Sequence, residues 1–509
     1  MLGRRVARPR VFLRGHGVRG VNGAATREKR VYLIAGEASG DAIGSQVISA
    51  LQRLAANDPS TRFVFGGIGG QNMCKTGGFE SLFPMQELSV MGLVEVLPYV
   101  FRFKRRLSDT VSDIKRFRPD LVLTIDSKGF TFRVLRALMD DPTTRDSILR
   151  MHCVAPSVWA YKHRQRKTNY DDLATLLHKM FVILPFEEAI FNGAKGGSWC
   201  EFVGHPAVEA FLEYHGAFDE KNPQQMGTDG SDGLVVEAGG LLDLSKYGSD
   251  ILARQGAVLR QLMTKKRDVN SRKKLRERLN LPHDAFVICG LVGSRQNEVH
   301  KTLSTVLAAV KHLQESSPSQ KITLVLPTIS AVRSLIEQKV AALPFSFSDS
   351  VHILVDCNTS TRFDLFNAAD AAVAVSGTIV METALNSLPT VVIYRANRLT
   401  EFLAKQLSAV NFVSIPNLLL GRSVIPELLF QDCKPDAISN ALRAILHTTS
   451  NGTHTESSVH QDPGLPAALS TLAKWTADSA PIRGSDCVAH SVWKMLDSQS
   501  VRHDSAKNS

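Results

Sequence analysis

The chemistry legible in this sequence lies in three small-residue turns and one carboxylate. The hexapeptide GEASGD at 36–41 sits between an apolar run and a helically spaced one. Successive backbone N–H groups in such a turn are free to meet an anion or a sugar hydroxyl, with Glu37, Ser39 and Gly40 as the candidate contacts. Its spacing matches neither GxGxxG nor the Walker loop, and a tight turn with Asp41 as a helix cap explains it equally well. Asp126 ends the apolar run Leu121–Ile125. The carboxyl ends of strands line the ligand crevice of open α/β sheets, so a carboxylate there can meet substrate, although helix-capping aspartates are also common after strands. Gly293, Ser294 and Arg295 follow a third apolar run and precede a helix with Glu298 in its first turn. Amides beside an arginine suit a diphosphate; an ordinary surface arginine is the alternative. Ser376, Gly377 and Thr378 again join a strand to a helix, and Glu382, four residues on, is spaced to accept hydrogen bonds from a ribose.

These turns need parallel strands to present them. From residue 31 onward, short β-rich runs alternate with helical spacing, as in layered α/β folds. Strands are expected at 31–35, 63–65 and 121–125, with 203–205 closing a first half. The second half has them at 286–292, 322–326, Val351–Val355, Ala371–Val375 and Thr390–Tyr394. Two similar open sheets joined by a linker imply a cleft between them. The rhythm breaks over 216–279, which begins rich in Gly, Asp, Asn and Gln and ends in a cluster of Lys and Arg. It reads as a partly disordered insertion with one basic helix. The expected organisation is a leader at 1–30, a Rossmann-like half at 31–215, the insertion at 216–279 and a second Rossmann-like half at 280–446. A low-complexity and helical tail follows at 447–509.

Composition bounds the class. The chain has 509 residues, 44% hydrophobic and 21% charged, enough for two or three domains. No run of about 18 apolar residues occurs, so a transmembrane helix is not expected. Seven scattered cysteines without a CxxC pair read as buried thiols of a reducing compartment, and no metal site is expected. Of the net charge of +11, seven arginines and no acid fall within residues 1–27, leaving +4 for the rest. That leader has the composition of an import peptide, mitochondrial or alternatively plastid, with a basic tail or nucleic-acid arm as the competing reading. Residues 85–106 are apolar and then basic. Leu93 and Val94 followed by Arg102, Lys104, Arg105 and Arg106 form the pattern of a segment docking on a lipid surface, or else of a buried helix with a solvated basic end.

Taken in order, these motifs resemble the lipid-A-disaccharide synthases, inverting glycosyltransferases of GT-B architecture. The resemblance is carried by AGEASGD at 35–41, LSVMGLVEV at 88–96, Ile125 with Asp126, APSVWA at 155–160, LPFE at 184–187 and FVGH at 202–205. It continues through Gly293, Ser294 and Arg295 with Glu298 and Val299, Ser376 to Thr378 with Glu382, and VSIPNLL at 413–419. It covers about 31–214 and 280–446. It implies transfer of a diacylated glucosamine from UDP to the 6-hydroxyl of a diacylglucosamine 1-phosphate, giving a β-1,6 disaccharide and UDP. Asp126 would be the general base, and Arg295 with the Gly293 and Ser294 amides would stabilise UDP. Ser376, Gly377, Thr378, Glu382 and Asn417 would hold the nucleotide. The implied partners are the UDP-activated acylated sugar, the acylated phosphosugar acceptor and a membrane surface, with no nucleic acid. No cofactor is implied, since the UDP-sugar is itself a substrate.

Two departures stand out. The family's second acid, in an Asp-Ala-Pro-Asp-Phe pattern, is replaced by Gly129, and the proline before Gly-Ser-Arg by Val292. A catalytically silent UDP-sugar or lipid binder, or a UDP-sugar 2-epimerase, are the competing functions. The apolar-then-basic segment favours a lipid substrate over the epimerase.

Overall fold

The computed structural model describes residues 26–88, 96–156, 171–193, 198–218, 249–265, 267–395, 412–450, 462 and 464–507. The leader through residue 25, Leu93, Val94, residues 157–160 and residues 219–248 of the insertion lie outside them. Strands β1 (Arg27–Ala35), β2 (Thr61–Ile68), β3 (Leu121–Ile125), β4 (Leu149–Cys153), β5 (Lys179–Val182) and β6 (Cys200–Phe202) form one six-stranded sheet, in the order β2-β1-β3-β4-β5-β6. Strands β7 (Phe286–Leu291), β8 (Ile322–Thr328), β9 (Val351–Val355), β10 (Ala371–Val375), β11 (Thr390–Tyr394) and β12 (Glu427–Leu429) form a second, ordered β12-β11-β10-β7-β8-β9. β1 pairs in parallel with β2 and β3, and β10 with β7 and β11. This is an α/β fold of GT-B type. Its central strands read as unbroken apolar runs because helices cover both faces. All five residues 31–35 are fully buried. In the second sheet, Val325 joins the core on one face, while Leu324 and Leu326 join the core on the other.

Contacts group the chain into two compact units, residues 1–154, 173–180 and 485–509 in the first, and 155–172 with 181–484 in the second. The boundary therefore falls earlier than the expected 215. Leu184, Val208, Phe211 and Leu212 belong to the same core as Leu259, Leu262, Leu465 and Leu469. The described helices Ser249–Thr264 of the insertion and Gly464–Ser470 of the tail also contribute to that core. The helix Ser249–Thr264 packs so closely on Gly464–Ser470 that a Cβ on Gly256 would stand 3.0 Å from the Ala467 Cα.

The basic helix Val269–Arg278 exposes Lys273, Lys274 and Arg278 but buries its other side. Arg276 is buried and donates to Asp370 Oδ2 at 2.6 Å and to the carbonyls of Ala368 and Ala285. Arg267 donates to the carbonyls of Phe366, Asn386 and Ala369, and burial lowers its pKa to about 9. These cations answer the orphan carbonyls that end the helix Thr359–Ala368, where the helix dipole favours positive charge. Of the cysteines, Cys153, Cys200, Cys289 and Cys433 are buried as expected, whereas Cys74 is exposed and Cys357 and Cys487 are half-buried; none forms a disulfide.

The first strand begins at Arg27, four residues before the expected start. Residues 27–30 pair with 61–64. Lys29 is buried, with Nζ 2.6 Å from Asp497 Oδ1 and stacked over Trp493, on the final helix Gly484–Lys507.

Register then aligns the strand ends. Ala35 stands beside Ile125, so the 36–41 turn and Asp126 leave the sheet at one level. Asp126 and Ser127 both adopt left-handed backbone, at φ 50° and 49°. Ser127 is thereby pressed against Gly36, where an added Cβ would lie 2.4 Å from its Oγ and 2.6 Å from its Cβ. Gly36→Ala should destabilise the fold by about 1–3 kcal/mol, the usual cost of overpacking. Adding Ser127→Gly should recover most of that, since it removes both clashing atoms and glycine accepts a positive φ. Denaturant unfolding of the single and double variants checks this; a double variant no more stable than Gly36→Ala alone would refute the contact.

Candidate active site

Asp126 is half-buried just beyond β3. Its N–H donates to the Cys153 carbonyl at 3.0 Å, its Oδ1 accepts the Ser127 N–H at 2.7 Å, and its carbonyl accepts the Thr131 hydroxyl at 2.9 Å. One carboxylate oxygen is thus fixed by backbone. Sequence pattern did not expose His152, which braces the neighbouring strand end. Fully buried, its imidazole is lowered to about 4 by desolvation and is neutral near pH 7. Nε2 lies 3.0 Å from the Val154 carbonyl and Nδ1 lies 2.7 Å from Thr124 Oγ1. A neutral ring satisfies both only with the proton on Nε2 and the threonine hydroxyl donating to Nδ1. The brace holds Val154 at φ 73°, a conformation that β-branched residues rarely adopt. No local signal marked it, because Arg150 and His152 break the apolar pattern of β4.

The 36–41 turn divides its labour. Glu37 is the half-buried, extended residue before the helix Ala38–Ala56, and Ser39 is exposed. Gly40 is a packing position, since a Cβ there would touch the Ile125 carbonyl at 3.4 Å. Asp41 does not cap its own helix. Its buried carboxylate accepts the N–H groups of Gly70, Asn72 and Met73 at 2.8–3.0 Å and caps the next helix, Gln71–Lys75. His205, in the FVGH motif, accepts the Ala207 N–H through Nδ1 at 3.1 Å and caps the helix Pro206–Tyr214.

In the second sheet Ala374 stands beside Leu291, so the Gly293 and Ser376 turns leave at one level. Gly293 holds φ 101°, and Glu298 folds back over it. The Glu298 carboxylate accepts the Ser294 N–H at 3.2 Å and the Arg295 N–H at 3.4 Å, and pairs with the Arg295 guanidinium at 3.0 Å. The donors expected for a diphosphate therefore converge, here on an anion supplied by the chain. Ser376 is half-buried, and Gly377 and Thr378 are exposed. Glu382 is held by Arg362, Nε to Oε2 at 2.6 Å and a second nitrogen to Oε1 at 3.1 Å. Asn417 is buried, and its amide is spent inside the protein: Oδ1 accepts the Val424 and Ile425 N–H groups, and Nδ2 donates to the Ile425 carbonyl and to Glu427. Among the described residues, no three His, Cys, Asp or Glu side chains could hold a metal ion.

The expected lipid-docking segment falls on the helix Val96–Phe117. Phe101 is 81% exposed, and Arg102, Lys104 and Arg105 face solvent. Arg106 does not belong with them. Its guanidinium pairs with Glu87 at 2.8 Å and with Asp109 at 3.2 Å, and stacks on Phe83. No described helix is long and apolar enough to cross a membrane.

The profile of the lipid-A-disaccharide synthetase family matches residues 31–232 and 258–464. A lipid-A-disaccharide synthase of Granulibacter bethesdensis is 33% identical over 92% of this chain and 98% of its own. A probable mitochondrial lipid-A-disaccharide synthase of Arabidopsis thaliana is 32% identical over 82% of this chain and 79% of its own. Among solved structures, the S. aureus MnaA–UDP co-structure aligns with a TM-score of 0.51 at 12% identity, over 92% of this chain and 97% of that one, a likeness of fold. With the motifs on matching strand ends and the profile spanning both sheets, the chain belongs to the lipid-A-disaccharide synthase family and is a glycosyltransferase.

Proposed function

We propose that the protein moves a 2,3-diacylglucosamine from UDP to the 6-hydroxyl of 2,3-diacylglucosamine 1-phosphate, forming the β-1,6 lipid A disaccharide 1-phosphate. The observation that carries the reading is the half-buried Asp126 at the carboxyl end of β3, one oxygen held by the Ser127 amide and the other without a hydrogen bond among the described residues. In the proposed step the acceptor 6-oxygen attacks the anomeric carbon in line. Its proton passes to Asp126, and the bond to the diphosphate breaks with its electron pair leaving on UDP. Arg295 and the Gly293 turn screen that departing charge, the diphosphate oxygens taking over donors that Glu298 otherwise occupies. Glu382, oriented by Arg362, keeps lone pairs for the ribose hydroxyls. Asn417 serves by shaping its loop, since its own amide is fully used. Asp126→Asn should leave UDP affinity unchanged and lower turnover roughly 10²–10⁴-fold, the contribution of a positioned base. Arg295→Ala should weaken UDP binding and slow transfer together. Calorimetry with UDP, and UDP release with and without the acylated acceptor, check both. Turnover within a few-fold of wild type in Asp126→Asn removes the base, and acceptor-independent turnover removes the transfer reaction.

The leader is proposed to direct import into the mitochondrion. The seven arginines and no acid of residues 1–27 support this, as does the mitochondrial name of the Arabidopsis relative. Because Lys29 is buried against Asp497, the mature chain would keep residues from Arg27 onward. A fluorescent fusion to residues 1–40 should reach mitochondria, and the imported full chain should begin at or before Arg27 by mass spectrometry. Diffuse or nuclear fluorescence, or a mature start at Val31 or later, counts against it.

Membrane access is proposed to run through Phe101, Arg102, Lys104 and Arg105. At about 1 kcal/mol per cation near anionic lipid, three cations give roughly a hundredfold in partitioning before salt screening. Replacing these three with Ser should abolish most sedimentation with phosphatidylserine-containing vesicles at low salt while UDP affinity holds. Arg106→Ser should instead lower thermal stability through its lost ion pairs. Vesicle binding by the triple variant equal to wild type would eliminate this surface.

A further inference from the structure

We propose that Glu427 is a positioning residue for the nucleotide, setting the Val413 carbonyl where it receives the hydroxyl of Ser376. The proposal rests on the reading that the Ser376 turn holds UDP.

Glu427 opens β12, the edge strand beside β11. Its two carboxylate oxygens do different work. Oε1 accepts the Ser414 N–H at 2.9 Å, the Ser414 hydroxyl at 2.7 Å and Asn417 Nδ2 at 2.8 Å. Those bonds tie it to the start of the helix Ile415–Leu420, which is independently secured by buried Leu419 and Leu420 and by Asn417 bonded to Val424 and Ile425. Oε2 accepts one hydrogen bond outside that helix, from the Val413 N–H at 3.0 Å. Val413 itself is 37% exposed. Its carbonyl accepts the Ser376 hydroxyl across a long 3.4 Å. A bond at that length is lost with a small backbone shift, so the carboxylate that pins the Val413 amide decides whether Ser376 is oriented. Charge assistance makes the pin stronger than a neutral acceptor would be.

Glu427→Gln separates the two oxygens. The amide oxygen can keep the three Oε1 bonds, while the amide nitrogen then faces the Val413 N–H, donor against donor. Retaining Oε2 instead would sacrifice three bonds for one. The expected result is UDP affinity weakened about three- to tenfold by calorimetry, the range for one hydrogen bond, with KM for the UDP-sugar rising in step and kcat within twofold of wild type. A double-mutant cycle supplies the readout that general loosening would not give. Ser376→Ala should weaken UDP binding in wild type and add little in Glu427→Gln, although the two side chains share no hydrogen bond. If Glu427→Gln does not fold, Val413→Pro, which deletes the Val413 N–H donor and leaves the Glu427 carboxylate in place, is expected to give the same loss. Wild-type UDP affinity in whichever variant folds, or strictly additive effects of Ser376→Ala and Glu427→Gln, would overturn the proposal. Wild-type protein that fails to bind UDP would instead refute the nucleotide reading on which it rests.

Discussion

Register between β1 and β3 is the constraint on which the carboxyl end of the first sheet depends. With Ala35 beside Ile125, the 36–41 turn and Asp126 emerge together, and two successive left-handed residues swing Ser127 into the space over Gly36. A side chain at 36 would push that turn away, and with it the carboxylate that the Ser127 amide holds. On the other side, the Cys153 carbonyl takes the Asp126 N–H, and the neutral imidazole of His152 restrains Val154 next to it. Three adjacent strand ends therefore hold one another in uncommon backbone conformations, which persist because the surroundings over-determine them.

The second sheet reaches the same precision by a different device. Its turns carry backbone donors and arginines, and the chain supplies a carboxylate to each: Glu298 over the Gly293 turn, Glu382 against Arg362, and Glu427 beneath Val413 and Ser414. Pre-organised donors cost little reorganisation when an anion arrives, because one set of oxygens replaces another in the same place. Glu298 and Glu382 each pair with an arginine, whereas Glu427 is bonded through both oxygens to loop backbone.

Buried arginines give the second unit its cohesion. Arg267, Arg272 and Arg276 project from the end of the insertion onto Asp370 and onto the carbonyls that end the helix Thr359–Ala368. Asp370 also accepts the Val287 N–H at the start of β7. A segment that composition marks as a linker is thereby joined to the strand leading to Gly293, and each of the three guanidinium groups meets acceptors there, although the Arg272 Nε is buried without one among the described residues.

Central parallel strands were legible in the sequence because burial on both faces demands unbroken apolar runs. The expected Ala371–Val375 and Thr390–Tyr394 match β10 and β11 residue for residue, and Val351–Val355 matches the half-buried edge strand β9. Motif order likewise placed Asp126, Arg295 and Ser376 at strand ends, since a turn follows directly from where an apolar run stops. Strand β4 was not legible: it contains Arg150 and His152, whose burial is possible only through carbonyls and a hydroxyl supplied by other segments. The same physics hid the true roles of Asp41, Arg106 and Asn417. Each is a polar side chain whose type suggested a ligand, a lipid or a cap, and each is committed to partners 3 to 32 residues away in the chain. Local pattern determines where the backbone must turn, because sterics and burial act on neighbours; which polar group remains free for chemistry is decided by tertiary contacts, because a hydrogen bond is settled only when both partners have been brought together.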